Sequence, residues 1–446
     1  MRTSLESVSR LIRSCCALLF LLFVVGTVPT LLHGSEQRAG SGGIPDASLP
    51  TPAQINHAIE LSGGYLERAC GPDGKFVYEI DIRTGKKSNS YNIVRHAGAI
   101  YALAMLNRVQ PDPQTADAMV RAAAFLRQNY IGPGVHPGQL VVWSEPLAWQ
   151  SRPRHDAELG ATGLGLVALA EVRSVDPKSV PLEELQALGR FLLFLQKDDG
   201  SFINKYRAES GPVEDWESLY YPGEAALAFV ALYEADHSRE WLVAAGRALS
   251  FLARSRAALS TVPADHWALI ATAKLLRYCD HSSCPGTLRE ELIQHAIQVC
   301  NSILREQYRG SAAVGIAGAF DPEGRTAPAA TRLEGLLAAL EFLPKDELRA
   351  KIVATTGRGI AFLLRMQIGS GPYSGGIPGA FATRTLDSSK VRIDFVQHAI
   401  CAWLRYQGLF QSGAQPREGE KGGDTSHRNS CGKFGPHGLP LGCSSW

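Results

Sequence analysis

The chain has 446 residues, of which 45% are hydrophobic and 20% are charged, and this composition is typical of globular proteins. Forty-five Lys and Arg residues against 43 Asp and Glu residues leave a formal net charge of +2, and the charges are spread along the chain. This balance excludes the basic face that nucleic-acid-binding proteins use, so no nucleic-acid partner is expected.

The N-terminus has the layout of a secretory signal. Arg2, Arg10 and Arg13 precede an apolar run over residues 15–25, the order of charge and apolar residues found in such signals. We expect residues 1–34 to be a signal peptide, or alternatively an uncleaved membrane anchor. The sequence therefore predicts an exported protein, periplasmic, extracellular or anchored facing outward, that meets a membrane only through this segment.

Residues 35–52 are rich in Gly, Ser, Pro and Ala and are expected to form a linker. The folded domain is expected to cover residues 53–411. Within it, six segments carry apolar residues on one face and polar residues on the other, the pattern of a surface helix. These outer segments are 53–70, 114–130, 182–197, 239–255, 287–307 and 346–367.

Six other segments alternate with the outer ones and are rich in Ala, Gly and Leu on nearly every side, which is typical of buried helices. These inner segments begin at Tyr91, His155, Tyr221, Asp265, Thr331 and Asp394. The alternation predicts an all-α fold, an (α/α)6 toroid in which six helical hairpins surround a central cavity. Short stretches from Phe76 and Leu140 are expected to form loop hairpins over one mouth, and residues 412–446 to be disordered.

The cysteines outside the signal segment divide into two groups. Cys279 and Cys284 bracket a short polar loop and are predicted to form a disulfide in an oxidising compartment. Cys431 and Cys443, which bracket a Gly/Pro-rich stretch, are a second candidate pair. Three cysteines in helical patterns are predicted to be buried thiols: Cys70, Cys300 and Cys401.

Two outer segments end with a Gln, a polar turn, a Gly and an aromatic residue. They read GRFLLFLQKDDGSF from Gly189 and GRGIAFLLRMQIGSGPYSGG from Gly357. This resembles the Q-x-x-D-G-x-aromatic repeat of terpene cyclases and other α/α toroids, where the Gln caps the helix and the Gly permits the turn. The second copy departs from the repeat by carrying Ser370 in place of Asp.

The sequence lacks the Asp-x-Asp-Asp acid of terpene cyclases and the zinc-binding Cys and His sets of protein prenyltransferases and lanthionine cyclases. Among α/α toroids it resembles the six-hairpin glycosidases and the sugar epimerases that share their barrel. The resemblance covers residues 53–411 and rests on hairpin number, small-residue inner helices and polar helix mouths. It implies a carbohydrate partner and acid/base chemistry without a metal or an organic cofactor.

Ionisable residues stand at the entrances of the inner segments, and in a closed ring these entrances meet at one end of the cavity. For Asp156, Asp265 and Asp394 helix capping is the structural alternative. The full set is Arg95, His96, His155, Asp156, Glu158, Asp215, Glu217, Glu224, Asp265, His266, Arg332, Glu334, Asp394 and His398.

The densest stretch is EDWESLYYPGE, residues 214–224. Hydrolysis of a glycosidic bond needs one protonated and one ionised carboxyl, and Glu217 or Glu224 could supply one of them. The aromatic side chains of Trp216, Tyr220 and Tyr221 could stack on a sugar ring. This stretch therefore favours a glycoside hydrolase.

Histidines and arginines point to other chemistry. Two histidines facing one sugar carbon could remove and return its proton, as the resemblance to sugar epimerases implies. Arg95 and Arg332, with helix N-termini around them, would favour an anionic ligand such as a uronate. The loop 143–158, with its Trp and charged residues, is expected to line the cleft.

We therefore predict an exported carbohydrate-active enzyme, with a glycoside hydrolase preferred. An epimerase or lyase of acidic sugars, and a non-catalytic glycan-binding or envelope-scaffold protein, remain the alternatives. The predicted catalytic residues are Glu217, His266, His96, Glu224 and Asp265. The predicted substrate-binding residues are Tyr91, Asn92, Arg95, Trp143, His155, Asp156, Glu158, Asp215, Trp216, Tyr220, Tyr221, Arg332, Asp394 and His398.

Overall fold

The computed structural model describes residues 49–147, 156–279, 286–308, 314–382 and 386–411. The predicted signal segment, nearly all of the linker and the predicted disordered tail lie outside these ranges. Four residues named above also lie outside them: His155, Cys284, Cys431 and Cys443.

Twelve α-helices within the described residues alternate between an outer and an inner layer. The outer helices are α1 (Pro52–Ala69), α3 (Pro113–Tyr130), α5 (Leu182–Leu195), α7 (Arg239–Arg256), α9 (Gly286–Glu306) and α11 (Glu347–Met366). The inner helices are α2 (Ile93–Val109), α4 (Leu159–Val175), α6 (Tyr221–Asp236), α8 (His266–Leu276), α10 (Thr326–Ala339) and α12 (Ile393–Gln411). Each inner helix contacts the next, and α12 contacts α2, so the ring closes. The predicted (α/α)6 toroid is confirmed.

The two layers differ in burial as their sequences predict. Thirteen of the 17 residues of the inner helix α4 are buried, against seven of 14 in the outer helix α5. Small residues allow the inner helices to approach closely: a Cβ at Gly163 of α4 would lie only 3.1 Å from the backbone nitrogen of Ala225 on α6. The Ala, Gly and Leu pattern therefore both buries the inner helices and sets their spacing.

Seven short strands lie between the helices in the described part of the chain. They are β1 (Glu79–Asp81), β2 (Ile131–Pro133), β3 (Leu140–Val142), β4 (Asp156–Glu158), β5 (Lys205–Arg207), β6 (Gly211–Pro212) and β7 (Lys390–Arg392). Strands β2 and β3 form the hairpin expected at Leu140, and β4, β5 and β6 form a three-stranded antiparallel sheet. The hairpin expected in the stretch from Phe76 is also present, because Ile80 lies opposite Lys87 in an antiparallel bridge and the Asp81 amide donates to the Lys86 carbonyl at 2.9 Å. Strand β1 pairs in addition with β7, with Ile80 opposite Val391. This pairing ties the first helical hairpin to the last.

The Gln side chains at the ends of α5 and α11 link neighbouring outer helices. Gln196 Nε2 donates to the carbonyl of Ala244 on α7 at 2.9 Å, and Gln367 Nε2 donates to the carbonyl of Ala58 on α1 at 2.7 Å. Gln196 and Gln367 are also the C-cap residues of α5 and α11, as the repeat implies, and their backbone amides donate to carbonyls of the last turn. Gly200 follows in the first of these turns with φ +95°, and a Cβ there would overlap a backbone carbonyl of α7, so the turn requires glycine.

The cysteines follow the predicted division where the structure describes them. The three predicted thiols are free and buried, which confirms that prediction: Cys70, Cys300 and Cys401. Cys279 is disulfide-bonded, whereas its predicted partner lies outside the described residues. None of the described helices is long and apolar enough to cross a membrane.

Ion pairs connect the C-terminal ends of the inner helices, and we call them the ion-pair belt. Glu171 of α4 pairs with Arg108 of α2 and, at 3.3 Å, with Lys274 of α8. Lys274 also pairs with Glu234 of α6 at 2.8 Å. These four residues join four of the six inner helices.

Residues at the ends of the remaining inner helices complete the belt. Arg277, which follows α8, pairs at 2.6 Å with Glu341, which follows α10. Glu341 also lies 3.6 Å from Arg405 of α12, and Arg405 donates to the Tyr101 hydroxyl of α2 at 3.3 Å. The belt therefore returns to the helix from which it started.

Breaking the belt at its buried member should destabilise the fold more than breaking it at an exposed member. The Lys274 side chain is 16% exposed and its partner Glu171 is 7% exposed, so Lys274→Ala should lower the free energy of unfolding by about 3 kcal/mol. Arg277 is 56% exposed, so Arg277→Ala should cost less than about 1 kcal/mol. Urea unfolding of both variants checks this, and equal losses would contradict it.

Candidate active site

A cavity of about 330 Å³ lies at the N-terminal ends of the inner helices, and all six of these helices contribute side chains to its wall. Its size suits a small organic ligand. Nine of the predicted site residues line it: Asn92, Arg95, Tyr220, Tyr221, Glu224, His266, Arg332, Asp394 and His398. A larger cavity of about 450 Å³ lies beside the outer helix α7, and none of the predicted site residues line it.

Two imidazole rings pack edge to face in the wall of the central cavity, with 75° between their planes. The ring centroids of His266 on α8 and His398 on α12 are 5.5 Å apart. Nδ1 of His398 lies 2.7 Å from Oε1 of the fully buried Glu334 on α10, whereas the Gln397 amide nitrogen is farther away at 3.2 Å. An ionised carboxylate only accepts hydrogen bonds, so Nδ1 of His398 carries a hydrogen and its Nε2 remains available.

The other ring, that of His266, is 1% exposed, and neither of its nitrogens has a hydrogen-bond partner among the described residues. Burial lowers the pKa of His266 well below its ordinary value, and the positive charges of His398 and Arg332 lower it further. His266 is therefore neutral near pH 7. The Tyr220 ring packs edge-on against it with 5.1 Å between centroids, which fixes its orientation.

The same group of side chains has the donor atoms of a metal site. One ligand atom each from His266, Glu334 and His398 lies within 4.8 Å of the other two. Glu334 Oε2, like the nitrogens of His266, has no hydrogen-bond partner in the described part of the chain. Two imidazoles and a carboxylate could hold an ion such as Zn²⁺.

Glu224, in the first turn of α6, brings a neutral carboxyl group to the cavity. It is 3% exposed, and its Oε2 has no hydrogen-bond partner among the residues described. Burial raises the pKa of Glu224 well above its ordinary value, and the negative charges of Asp265 and Glu158 raise it further. Glu224 therefore keeps its proton at neutral pH and can donate a hydrogen bond to a ligand oxygen.

Three arginines and one aspartate form the charged part of the wall. Asp394 lies between two of them, with Oδ2 3.1 Å from Nε of Arg95 and Oδ1 2.6 Å from Nε of Arg392. The third, Arg332, binds Glu306 through Nε. Guanidinium groups are therefore the commonest charged groups of the wall, and Glu306 and Glu79 pair with Arg332 and Arg392 from outside it.

His96 does not face the cavity, so its predicted catalytic position is wrong. Its Nε2 lies 2.9 Å from the Ala122 carbonyl on α3, which can only accept a hydrogen bond. Its Nδ1 therefore accepts from the Tyr91 hydroxyl at 2.8 Å, and that hydroxyl accepts from the Phe76 amide at 3.1 Å. His96 and Tyr91 thus join α2, α3 and the preceding loop, and the predicted substrate contact by Tyr91 is replaced by this structural role.

Asp265 also lies behind the cavity wall, so its expected place at the cavity is corrected. It is fully buried, accepts a hydrogen bond from the Ala268 amide at 3.0 Å and pairs with Arg256 at 2.9 Å. This is the capping role that the sequence left open as an alternative. Its charge still acts on the site, because it raises the pKa of Glu224.

Predicted residues on β4 support the mouth of the ring without lining the cavity. Asp156 pairs with Arg207 of β5 at 2.9 Å, and Glu158 pairs with Lys205 at 3.2 Å. Glu158 also accepts a hydrogen bond from the Tyr221 hydroxyl at 2.8 Å. The two acids therefore hold a strand pair and orient one residue that does line the cavity.

The loop before α6 contributes less than the sequence predicted. Asp215 and Glu217 are exposed and do not line the cavity, so the expected catalytic position of Glu217 is wrong. Trp216 is half-buried beneath the ammonium group of Lys205, 4.3 Å from its ring centroid. Trp143 is buried in the core, and the described part of the loop 143–158 does not line the cavity either.

Some residues of the site were not assigned a role from the sequence. Trp267 and Gln397 line the cavity beside predicted histidines, and Arg392 lines it two positions before a predicted aspartate. Adjacency to predicted residues was the only signal for these three. Glu334 stood in the set of ionisable residues, but its contact with His398 depends on the approach of α10 to α12.

No family model matches the chain, and no curated protein matches it by sequence. By structure it is similar to a sugar epimerase from a ruminal bacterium, with a TM-score of 0.61, 11% identity and coverage of 80% of this chain and 99% of that one. The chain has an (α/α)6 toroid fold like these solved structures.

Other solved structures with this fold carry different names. A cellobiose 2-epimerase from Bacillus thermoamylovorans has a TM-score of 0.60 and 12% identity, over 80% of this chain and 98% of that one. A GH76 alpha-mannanase from Bacteroides thetaiotaomicron has a TM-score of 0.56 and 14% identity, over 81% and 97%. The fold therefore does not select one reaction, and the side chains of the cavity must do so.

The structural role of His96 predicts a pH dependence of stability. Burial lowers the pKa of His96 from 6.5 to about 4. Between these two pH values the unfolded chain binds a proton at His96 and the folded chain does not. The free energy of unfolding therefore falls as the pH drops from 6.5 towards 4. Between pH 7 and pH 5 the wild type should lose about 2 kcal/mol more than His96→Gln. Urea unfolding at both pH values measures this. The same difference for the exposed His136→Gln would contradict it.

Gly160, in the first turn of α4, leaves room for two site residues. A Cβ at this position would overlap the side chains of Tyr221 and Glu224. Gly160→Ala should therefore destabilise the fold by about 1 to 3 kcal/mol. A Cβ at Gly408 of α12 would meet no described atom within 4 Å beyond the backbone of its own helix, so Gly408→Ala should stabilise by up to about 1 kcal/mol. Thermal unfolding of both variants tests this contrast. Equal changes in Tm, or a higher Tm for Gly160→Ala than for Gly408→Ala, would refute it.

Proposed function

We propose that this protein is a sugar-processing enzyme that removes and returns a proton at a carbon next to a carbonyl group, as a sugar epimerase or isomerase does. The observation that carries the proposal is the adjacent pair His266 and His398, with ring centroids 5.5 Å apart in the wall of a small cavity. Solved structures with this fold that are named sugar epimerase, D-mannose isomerase and cellobiose 2-epimerase support a sugar as the substrate.

His266 is the group suited to remove the proton. It is buried and neutral, and no described side chain occupies its ring nitrogens. A neutral imidazole in hydrogen-bond reach of an acidified C–H bond can act as a general base. The C–H bond then breaks, its proton moves to His266, and its electron pair forms an enediolate with the neighbouring carbonyl.

His398 and Glu224 complete the proton transfers. Protonated His398 has an ion-pair partner in Glu334 at 2.7 Å, so it can return a proton to the same carbon, which gives an epimer. Return to the adjacent carbon gives an isomer when the carboxyl of Glu224 gives its proton to the former carbonyl oxygen and takes the proton of the hydroxyl on the other carbon. The neutral carboxyl of Glu224 can donate a hydrogen bond to the oxygen on which negative charge develops. Every proton that leaves the sugar is thereby replaced.

The hydrolase preferred from the sequence is less well supported by the cavity. Hydrolysis uses two carboxyl groups on opposite sides of the scissile bond. Glu217 does not line the cavity, and Asp394 is engaged by two arginines. Among the described lining residues, Glu224 is therefore the one carboxyl group that is not paired with an arginine. The same wall contains two imidazoles.

Deuterium exchange tests the proposal directly. In deuterium oxide the wild type should introduce label at the carbon next to the carbonyl of a substrate found by screening aldoses and uronic acids, with NMR as the readout. His266→Gln and His398→Gln should each slow exchange by about 100-fold or more, because each removes a general acid or base. Glu334→Gln should slow it less, since His398 remains.

The matched control is His136→Gln, since His136 is exposed and lies outside the cavity wall. This variant should exchange at the wild-type rate. Release of new reducing ends with no label on carbon would overturn the proposal in favour of a hydrolase, and so would full exchange in both histidine variants.

A further inference from the structure

The arginines of the cavity indicate the class of sugar. We propose that the substrate is an acidic sugar whose carboxylate is bound by Arg332 beside His266. The inference rests on the proposed function, because it names the substrate class of the same site. It is carried by three features: the unused donors of Arg332, the charge of the cavity wall and the position of Arg332.

Arg332 has hydrogen-bond donors that the protein leaves unused. Its side chain is only 18% exposed, its Nε binds Glu306, and its Nη1 donates to the Pro328 carbonyl at 3.2 Å. A guanidinium has five N–H donors, and the two on Nη2 have no acceptor among the described residues. The Nη2 group can therefore donate a charge-assisted hydrogen bond to an oxygen of a carboxylate.

The charge of the wall favours an anion over a neutral ligand. Among the described lining residues, the permanent cations are Arg95, Arg332 and Arg392, and the acids are Asp394 and Glu224. Burial keeps Glu224 protonated, which leaves three guanidinium groups facing one ionised carboxylate. The two lining histidines add no negative charge. Glu306 pairs with Arg332 and Glu79 lies 3.7 Å from Arg392, but neither lines the cavity, so the excess of guanidinium groups is confined to the surface that a ligand would touch.

Arg332 is also placed next to the reacting groups. Arg332 and His266 both line the cavity, and their helices pack closely: a Cβ at Gly335, three residues after Arg332 on α10, would lie 3.0 Å from Cα of His266. A carboxylate bound at Arg332 would therefore lie beside the proposed base.

Paired ligands that differ only at C6 provide the test. Calorimetric titration of the wild type would compare glucuronate with glucose, galacturonate with galactose, and mannuronate with mannose. At least one uronate should bind about 10-fold or more tightly than its neutral partner. Arg332→Gln should remove this gap without weakening the neutral sugar, and Arg332→Lys, which keeps a charge opposite Glu306, should retain part of it.

Arg325→Gln is the matched control, because Arg325 is 53% exposed, pairs with Glu323 and lies outside the cavity wall. It should preserve the gap. The inference is overturned if every neutral sugar binds as tightly as its uronate, if no uronate binds, or if Arg332→Gln leaves the gap intact. Because binding is measured without turnover, a uronate that binds but does not exchange deuterium would refute the proposed function alone. Exchange confined to neutral sugars would refute this inference alone.

Discussion

The close packing of six small-residue helices into a closed ring is the constraint on which the rest of this structure depends. Each inner helix contacts two neighbours, and α12 contacts α2, so all six run in one direction and their N-terminal ends meet around one cavity. The ion-pair belt joins the opposite ends of the same helices. Polar groups that are far apart in sequence therefore converge at the N-terminal end, where their chemistry is combined.

Burial then determines the protonation states from which the site can work. His266 and Glu224 are both shielded from water, which disfavours the charged form of each side chain. The imidazole of His266 is therefore neutral, and the carboxyl group of Glu224 is protonated. In water at pH 7 the carboxyl would be ionised. The cavity thus combines a neutral base, a neutral acid and a wall rich in arginine, and none of these groups has to change its charge before a ligand binds.

Polar residues at the helix mouths have one of two roles, and the structure shows which residues have which. Asp265 and His96 satisfy backbone groups and join neighbouring helices, with every contact made inside the protein. His266 and Glu224 keep buried atoms without partners among the described residues. An unsatisfied buried polar atom destabilises the fold, so groups of the second kind are the ones for which a ligand would provide the missing partner.

The sequence by itself determined the fold, because helical periodicity and composition are local properties that distinguish six buried helices from six amphipathic ones. It also placed the site at the N-terminal ends of the inner helices. It did not determine which polar residue of a first turn faces the cavity. Successive residues on a helix point about 100° apart, so Arg95 lines the cavity whereas His96, the next residue, contacts α3.

Which residue of a first turn faces the cavity depends on the rotation of the helix about its axis. That rotation is set by packing against the two neighbouring helices, which is a property of the tertiary structure. The same holds for the contact of Glu334 with His398 and for the return of β7 to β1, since each joins residues on different hairpins. Contacts between different hairpins leave no pattern in the local sequence. Only the closed ring brings them together, and it does so because the inner helices have no other way to bury all of their faces.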